Sequence, residues 1–326
     1  MIVSVTGSSG FIGKWLVKRL IKDGHEVREW DRHNNREIAD WELEGADFVV
    51  HLAAMADVRA SMLEPELWYE NNVTTTTRIQ RICNENKIPL VYASSSCIHA
   101  WWKSPYGTTK KINEETAFPG QVGLRFTTVY GEGARDSMFI GKLLRNEIKY
   151  ATNHIRDFIH VSDVVDGIML FINEGTEDRL PAYNMGTGKG NKVFEVAQAF
   201  GWLGEITDGD DCEALDNTAD NSDMRETGWE PKVDVMEYVK FQATHVSVNE
   251  KNVGARPEST GMRPHPPNFE KTDQNPKIIL PEEDVLVSSR KVNMLMKDFT
   301  GGEARHQPDA LRKKKAQKKW EDVTDV

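Results

Sequence analysis

Two periods of apolar residues alternate along the first 245 positions. Ile2 to Thr6 is a short β-branched run, as a buried strand requires. Gly7 to Gly13 interrupts it, and Trp15, Leu16, Leu20 and Ile21 then recur at helical spacing until Gly24. His25 to Trp30 alternates apolar with polar residues and ends at Asp31, which predicts a second strand. Asp47 to Leu52 and Pro89 to Ala93 predict a third and a fourth, with one helical stretch from Leu67 to Asn86 between them. Gly123 to Phe126 and Ala182 to Met185 are shorter runs bounded by turn residues. Strands that alternate with helices imply right-handed crossovers and an α/β fold, a doubly wound parallel sheet with helices on both faces.

The pattern stops near residue 250. Residues 251–326 are rich in Pro and charge, and their net charge is +3 against −13 for the rest of the chain. A body spanning 1–245 with an appended low-order tail at 251–326 is expected. Within the tail, Val292, Leu295, Met296 and Phe299 are spaced for one short amphipathic helix. Arg312 to Lys315 with Lys318 and Lys319 form a basic cluster, expected to be a solvated extension; nucleic acid is not an expected partner, and this cluster is the sole candidate for such contact. The acidic body argues against such contact elsewhere. No apolar run reaches membrane-spanning length, and no basic segment precedes an apolar stretch at Met1 to Gly7, so neither a membrane span nor a secretory signal is expected. Three cysteines without a CxxC pair (Cys83, Cys97, Cys212) fit a reducing, cytoplasmic setting and give no metal site.

Two motifs carry chemistry. Gly7-Ser8-Ser9-Gly10-Phe11-Ile12-Gly13 is GxxGxxG between a strand and a helix. The first glycine permits a tight turn, the second lets backbone approach a pyrophosphate, and the third allows helix and strand to pack closely. The helix start adds free N–H groups and a positive dipole end. Asp31 closes the second strand, where a carboxylate accepts both hydroxyls of an adenosine ribose and favours NAD over NADP. Arg32 and Arg36 work against that preference, because arginine pairs with a 2′-phosphate.

The second motif is Tyr106-Gly107-Thr108-Thr109-Lys110. On a helix its phenol and ammonium share one face. The lysine, with a nicotinamide cation beside it, is expected to lower the tyrosine pKa from about 10, so that the phenolate acts as a base on a hydroxyl. Ala93-Ser94-Ser95-Ser96-Cys97, at the carboxyl end of the fourth strand, supplies a hydroxyl for the reacting oxygen.

With Asn72-Val73, Val129-Tyr130-Gly131, Arg156-Asp157-Phe158-Ile159-His160-Val161 and Gly228-Trp229-Glu230-Pro231 in the same order, residues 2–240 resemble the extended short-chain dehydrogenase/reductases, the nucleotide-sugar epimerase/dehydratase group. The resemblance implies a Rossmann core, mainly 1–135 and 157–186, and a small substrate lobe, mainly 136–156 and 187–245. It assigns Ser95, with Ser96 as second choice, Tyr106 and Lys110 to catalysis. Cofactor contacts would come from Gly7, Gly10, Phe11, Ile12, Gly13, Asp31, Arg32, Asp40, Leu52, Ala53, Ala54 and Asn72, with Tyr106 and Lys110. Substrate contacts would come from Ser96, Cys97, His99 and Arg156. The implied partner is a nucleoside-diphosphate sugar, in a homodimer formed through the Tyr106 helix and its predecessor.

The 4,6-dehydratases of this group carry an Asp-Glu pair where Ser96 and Cys97 stand, which leaves a 4-epimerase as the expected activity. Ser95-Ser96-Cys97-Ile98 also resembles GDP-fucose synthase, so an epimerase/reductase of a keto sugar is the alternative, although Met138 stands where that enzyme has its paired histidine. Asp208, Asp210, Asp211 and Glu213 occupy the region where the family usually places a diphosphate-binding arginine, and four acids there would repel a diphosphate. That segment keeps a non-catalytic binding protein open as a further alternative. Arg156, Lys189 or Lys192 would have to replace the missing cation. His51 and His160 are expected to be structural.

Overall fold

The computed structural model describes residues 1–252, with side chains through 245. The tail expectations, the helix at 292–299 and the basic cluster at 312–319, lie outside the described residues. The strands are β1 (Ile2–Thr6), β2 (Glu26–Trp30), β3 (Phe48–His51), β4 (Leu90–Ser95), β5 (Gln121–Phe126), β6 (Thr128–Tyr130), β7 (Tyr150–Thr152), β8 (Ile155–His160), β9 (Ala182–Met185), β10 (Gly190–Lys192) and β11 (Glu205–Thr207). The α-helices are α1 (Phe11–Lys22), α2 (Val58–Ser61), α3 (Pro65–Tyr69), α4 (Thr75–Glu85), α5 (Pro105–Thr116), α6 (Phe139–Leu144), α7 (Val161–Glu174), α8 (Val193–Phe200), α9 (Ser222–Glu226) and α10 (Val235–Asn252). None of the described helices is long and apolar enough to cross a membrane.

Six strands pair in parallel in the order β2-β1-β3-β4-β5-β9, the doubly wound sheet expected from the sequence. β1 and β3 are neighbours, yet the chain leaves them in opposite directions. That reversal opens a crevice at their carboxyl ends, where ligands of such sheets bind. Gly7 follows β1 and Ala53 follows β3, so both flank the crevice. One face of the sheet packs Val3, Val5, Val91 and Leu124 against Leu16 and Leu20 of α1 and Val164 and Ile168 of α7. The other packs Val49, Leu90 and Tyr92 against Trp41 and Ile79. Ile21 shares the apolar pattern of α1 but is turned to solvent.

Two connections differ from the sequence expectation. The chain from β2 to β3 makes two 3₁₀ turns, Arg32–Asn34 and Ile38–Asp40, instead of a crossover helix. The stretch expected as one helix from Leu67 to Asn86 is α3 and α4 joined through a π turn at Glu70–Thr74. The π turn holds Asn72 fully buried. Its Oδ1 accepts from Met55 N at 2.8 Å, and its Nδ2 donates to Met55 O at 2.9 Å and Thr109 Oγ1 at 3.2 Å. Period 3.6 alone does not reveal an extra residue inserted for a polar contact of this kind.

A smaller layer stands beside the sheet. β10, β8 and β6 form one short sheet and β11 pairs with β7. Tyr130, Ile140, Leu143, Phe158, Val196 and Val239 make its separate apolar cluster. Asp157, fully buried on β8, ties this layer to the loops after β9. It accepts from Thr187 N at 2.8 Å, Gly188 N at 2.9 Å and Ala219 N at 3.2 Å.

Candidate active site

One large cavity, about 890 Å³, runs from the glycine loop to the small layer. Gly7, Gly10, Phe11, Ile12, Gly13, Leu52 and Ala54, all expected to contact a cofactor, line one part of it. Gly7 has φ +70°, and a Cβ there would meet Ala53 N at 2.7 Å. A Cβ on Gly13 would lie 2.1 Å from Gly7 O. The loop is therefore folded back on itself around its glycines, with backbone exposed to the crevice. Ser8 Oγ, buried in the same loop, has no hydrogen-bond partner. A buried hydroxyl left unsatisfied beside free helix N-terminal amides fits a phosphate-bearing dinucleotide.

Asp31 is tied to the glycine loop, although it does not itself line the cavity. Its Oδ2 accepts from Ser9 N at 3.2 Å and its Oδ1 from His33 N at 3.0 Å. Desolvation raises its pKa, but the hydrogen bonds from His33 and Ser9 outweigh that and hold it below the usual carboxylate value. Arg36, which weighed against NAD in the sequence, is committed elsewhere. Its guanidinium stacks 3.6 Å from the Trp30 ring centroid and pairs with Glu44. Arg32 and Asp40 are exposed, and neither lines the cavity. Ala53 also lies off the cavity wall. Asn72 acts from behind, pinning the loop after β3 to α5 with bonds to protein alone.

Ser95, Tyr106 and Lys110 meet on the middle wall of the cavity. Ser104 caps α5 by accepting from Gly107 N, and Pro105 starts the helix, which fixes the position of Tyr106. Gly107 allows the close approach, since a Cβ there would sit 3.0 Å from Trp101 Cα. The Ser95 hydroxyl accepts from Cys97 N at 3.2 Å and stands near enough to the Tyr106 phenol to lower its pKa. Lys110 Nζ lies 5.9 Å from the Tyr106 ring centroid and donates to Ala93 O at 2.7 Å.

The lowering of the Tyr106 pKa is expected beside a nicotinamide cation; the protein's own groups act in the opposite sense. The Tyr106 pKa is raised, first by desolvation and then by Cys97, with the Ser95 hydrogen bond opposing. Lys110 does not lower it, because burial weakens the lysine's own charge, bringing its pKa from 10.5 to about 8 against the opposing pull of Glu114. Between pH 8 and 10.5 the unfolded chain thus binds a proton at Lys110 that the folded chain has released, so stability rises with pH through that window. Compared with a Lys110→Met variant, the wild-type protein without cofactor should gain roughly 3 kcal/mol across it. Denaturant titrations at a series of pH values check this, and a pH-independent difference between the two proteins would refute it.

The far end of the cavity holds Arg156, Arg59, Lys103 and Glu213, with Tyr150 and Asn217. Arg156, one of the three cations the sequence offered, is carried by β8. Lys189 and Lys192 are not part of the cavity and pair instead with Asp234 and Glu195. Arg59 and Lys103 were not anticipated, since their short helical turns carry no signal of where they meet. The acidic segment is not a bare negative patch. Asp208 accepts from Asn153 Nδ2 at 2.7 Å, and Glu213 is paired with both Arg59 and Arg156. Ser96 and Cys97 line the cavity, and burial pushes the Cys97 thiol up. Met138 lines it too, so no histidine faces Cys97 from that position. His99 instead bonds Asn184 Oδ1 at 3.1 Å and lines an adjoining hollow of about 150 Å³. His51 lies between Thr6 Oγ1 (2.7 Å) and Thr76 Oγ1 (2.9 Å), and desolvation, aided by Lys110, takes its pKa to about 3. It is a neutral structural histidine, as expected. No group of His, Cys, Asp or Glu among the described residues is arranged to hold a metal.

Residues 3–119 and 103–186 match the model of the NAD dependent epimerase/dehydratase family. A putative UDP-glucose 4-epimerase of Methanocaldococcus jannaschii is 28% identical over 297 residues, 73% of this chain and 96% of that protein. UDP-glucose 4-epimerase 1 of rice, Oryza sativa, is 26% identical over 61% of this chain and 79% of its own length. Among solved structures, MoeE5 in complex with UDP-glucuronic acid and NAD is 27% identical, with a TM-score of 0.64 over 76% of this chain and 100% of that one. The NDP-hexosamine 5,6-dehydratase TunA shares the fold at a TM-score of 0.68 and 20% identity, over 76% of this chain and 98% of TunA.

Proposed function

Since the chain belongs to the NAD-dependent epimerase/dehydratase family and is an enzyme of that kind, we propose that it inverts the C4 hydroxyl of a nucleoside-diphosphate sugar. The observation that carries the proposal is the convergence of Ser95, Tyr106 and Lys110 on the wall of a cavity that also takes in the glycine loop and Arg59, Lys103 and Arg156. NAD, held by Gly7 to Gly13 and Asp31, supplies when bound the hydride acceptor and donor at the sugar carbon. Tyr106 takes the proton from the C4 hydroxyl and returns it after the keto sugar has turned over. The Ser95 hydroxyl holds the same oxygen at both stages. Lys110, on the same helix face as the phenol, binds the nicotinamide ribose side of the site. Ser96 and Cys97 offer no carboxylate pair for eliminating water, which favours epimerisation over dehydration. The proposal includes a cytoplasmic homodimer.

Incubating the purified protein with UDP-glucose and UDP-N-acetylglucosamine, with no added reductant, should yield their C4 epimers by NMR. No inversion of any nucleotide sugar, with consumption of NADH or NADPH on a 4-keto sugar instead, would replace this reading with the reductase one. Cys97, on the cavity wall between Ser95 and Tyr106, is the feature that favours that second reading.

A further inference from the structure

Glu213 bridges two parts of the chain across the cavity. Its Oε1 accepts from Arg59 Nε at 3.0 Å and its Oε2 from Arg156 Nη2 at 2.7 Å. Arg59 belongs to α2, beside the crevice, and Arg156 to β8 of the small layer. The segment that carries Glu213 is fastened from below. Lys103 Nζ donates to Asp211 O at 3.0 Å and Glu213 O at 2.9 Å, and Arg156 Nη1 donates to Ala214 O at 2.8 Å. His154 Nδ1 completes the surroundings, 2.8 Å from Arg156 Nη2. One carboxylate therefore engages the guanidinium groups of Arg59 and Arg156, both of which line the cavity.

A carboxylate and a phosphate ask for the same partners, paired N–H donors on a planar cation. The diphosphate of a nucleotide sugar carries about two negative charges, and both arginines are already engaged by Glu213. We propose that Glu213 is a built-in rival of the substrate diphosphate, holding Arg59 and Arg156 until a nucleoside-diphosphate sugar displaces it. This rests on the nucleotide-sugar reading above. The sugar end of the site, at Ser95, Tyr106 and Lys110, is not occupied by the bridge, so the rivalry acts on binding and not on the chemical step. It also sets specificity, because a ligand with no phosphate, or with one singly charged phosphate, gains too little from the arginines to displace the carboxylate.

The test is titration calorimetry of UDP, with GDP in parallel, on the NAD-loaded full-length protein and its Glu213→Gln variant. Glutamine keeps the shape and removes the charge, so UDP should bind about tenfold more tightly. Glu213→Asp keeps the charge but is one methylene too short to reach both arginines. It should tighten binding by a smaller factor, and it serves if the glutamine variant does not fold. If Glu213 merely holds the arginines in position for the diphosphate, both variants will bind UDP more weakly. Unchanged or weaker binding overturns the proposal while leaving the nucleotide-sugar reading intact. Failure of UDP and GDP to bind any of the three proteins overturns both.

Discussion

Replacing Tyr106 by Phe is expected to lower turnover about 10²- to 10⁴-fold, the usual contribution of a positioned acid/base group, with bound NAD retained. The ring is 8% exposed and packed on the cavity wall, so phenylalanine fills the same space. What is lost is the hydroxyl that faces Ser95 on the cavity wall. Raised by burial, the phenol stays protonated in the protein alone, and it serves as a base only where the bound cofactor's positive charge outweighs desolvation. Single-turnover kinetics together with cofactor fluorescence separate the two effects. Unchanged turnover would remove Tyr106 from catalysis, and loss of NAD would make it a cofactor contact.

Gly13→Ala is expected to abolish NAD retention and to destabilise the body. The added Cβ would lie 2.1 Å from Gly7 O and 2.8 Å from Ser8 O, both backbone atoms that no rotamer change can clear. Either α1 moves away from β1 or the phosphate loop opens. Overpacking on this scale costs about 3 kcal/mol. At roughly 2–4 °C per kcal/mol for a body of this size, the melting temperature falls by roughly 6–12 °C. Gly24→Ala is the control. It too changes a glycine next to α1, with φ +83°, but its Cβ would meet no atom within 4 Å. That variant should lose only about 1–2 kcal/mol, the cost of a left-handed alanine, and should keep NAD. Calorimetry and the cofactor content of the purified proteins decide the matter, and an alanine at position 13 that retains NAD would disprove the assigned packing role.

The phosphate loop was legible because its chemistry needs glycine at fixed spacing, and glycine at fixed spacing is visible in any sequence. The pair Tyr106 and Lys110 was legible for a similar reason, since one helical turn brings i and i+4 together wherever the helix sits. Arg36 misled because sequence shows its charge but not its partners. Stacked on Trp30 and paired with Glu44, it does not compete with Asp31 for the ribose. Asp40 and Arg32 lie close to Asp31 in sequence but point into solvent, since two 3₁₀ turns replace a helix there. The acidic run at 208–213 misled in the opposite sense. Counted as charges it repels a diphosphate, yet in place it brings a single carboxylate between two arginines.

By itself the sequence determined the doubly wound sheet, the glycine loop between β1 and α1, and the placing of Tyr106 and Lys110 on one helix face. Each depends on spacing within one element or on apolar runs that must be buried, and such local constraints are written residue by residue. Only the tertiary structure decided the far half of the cavity. Arg59, Lys103, Arg156 and Glu213 come from four separate segments, and their meeting depends on how the small layer packs against the sheet. The electrostatic balance was decided there too, because the pKa values of Tyr106 and Lys110 follow from burial, which no pair spacing encodes.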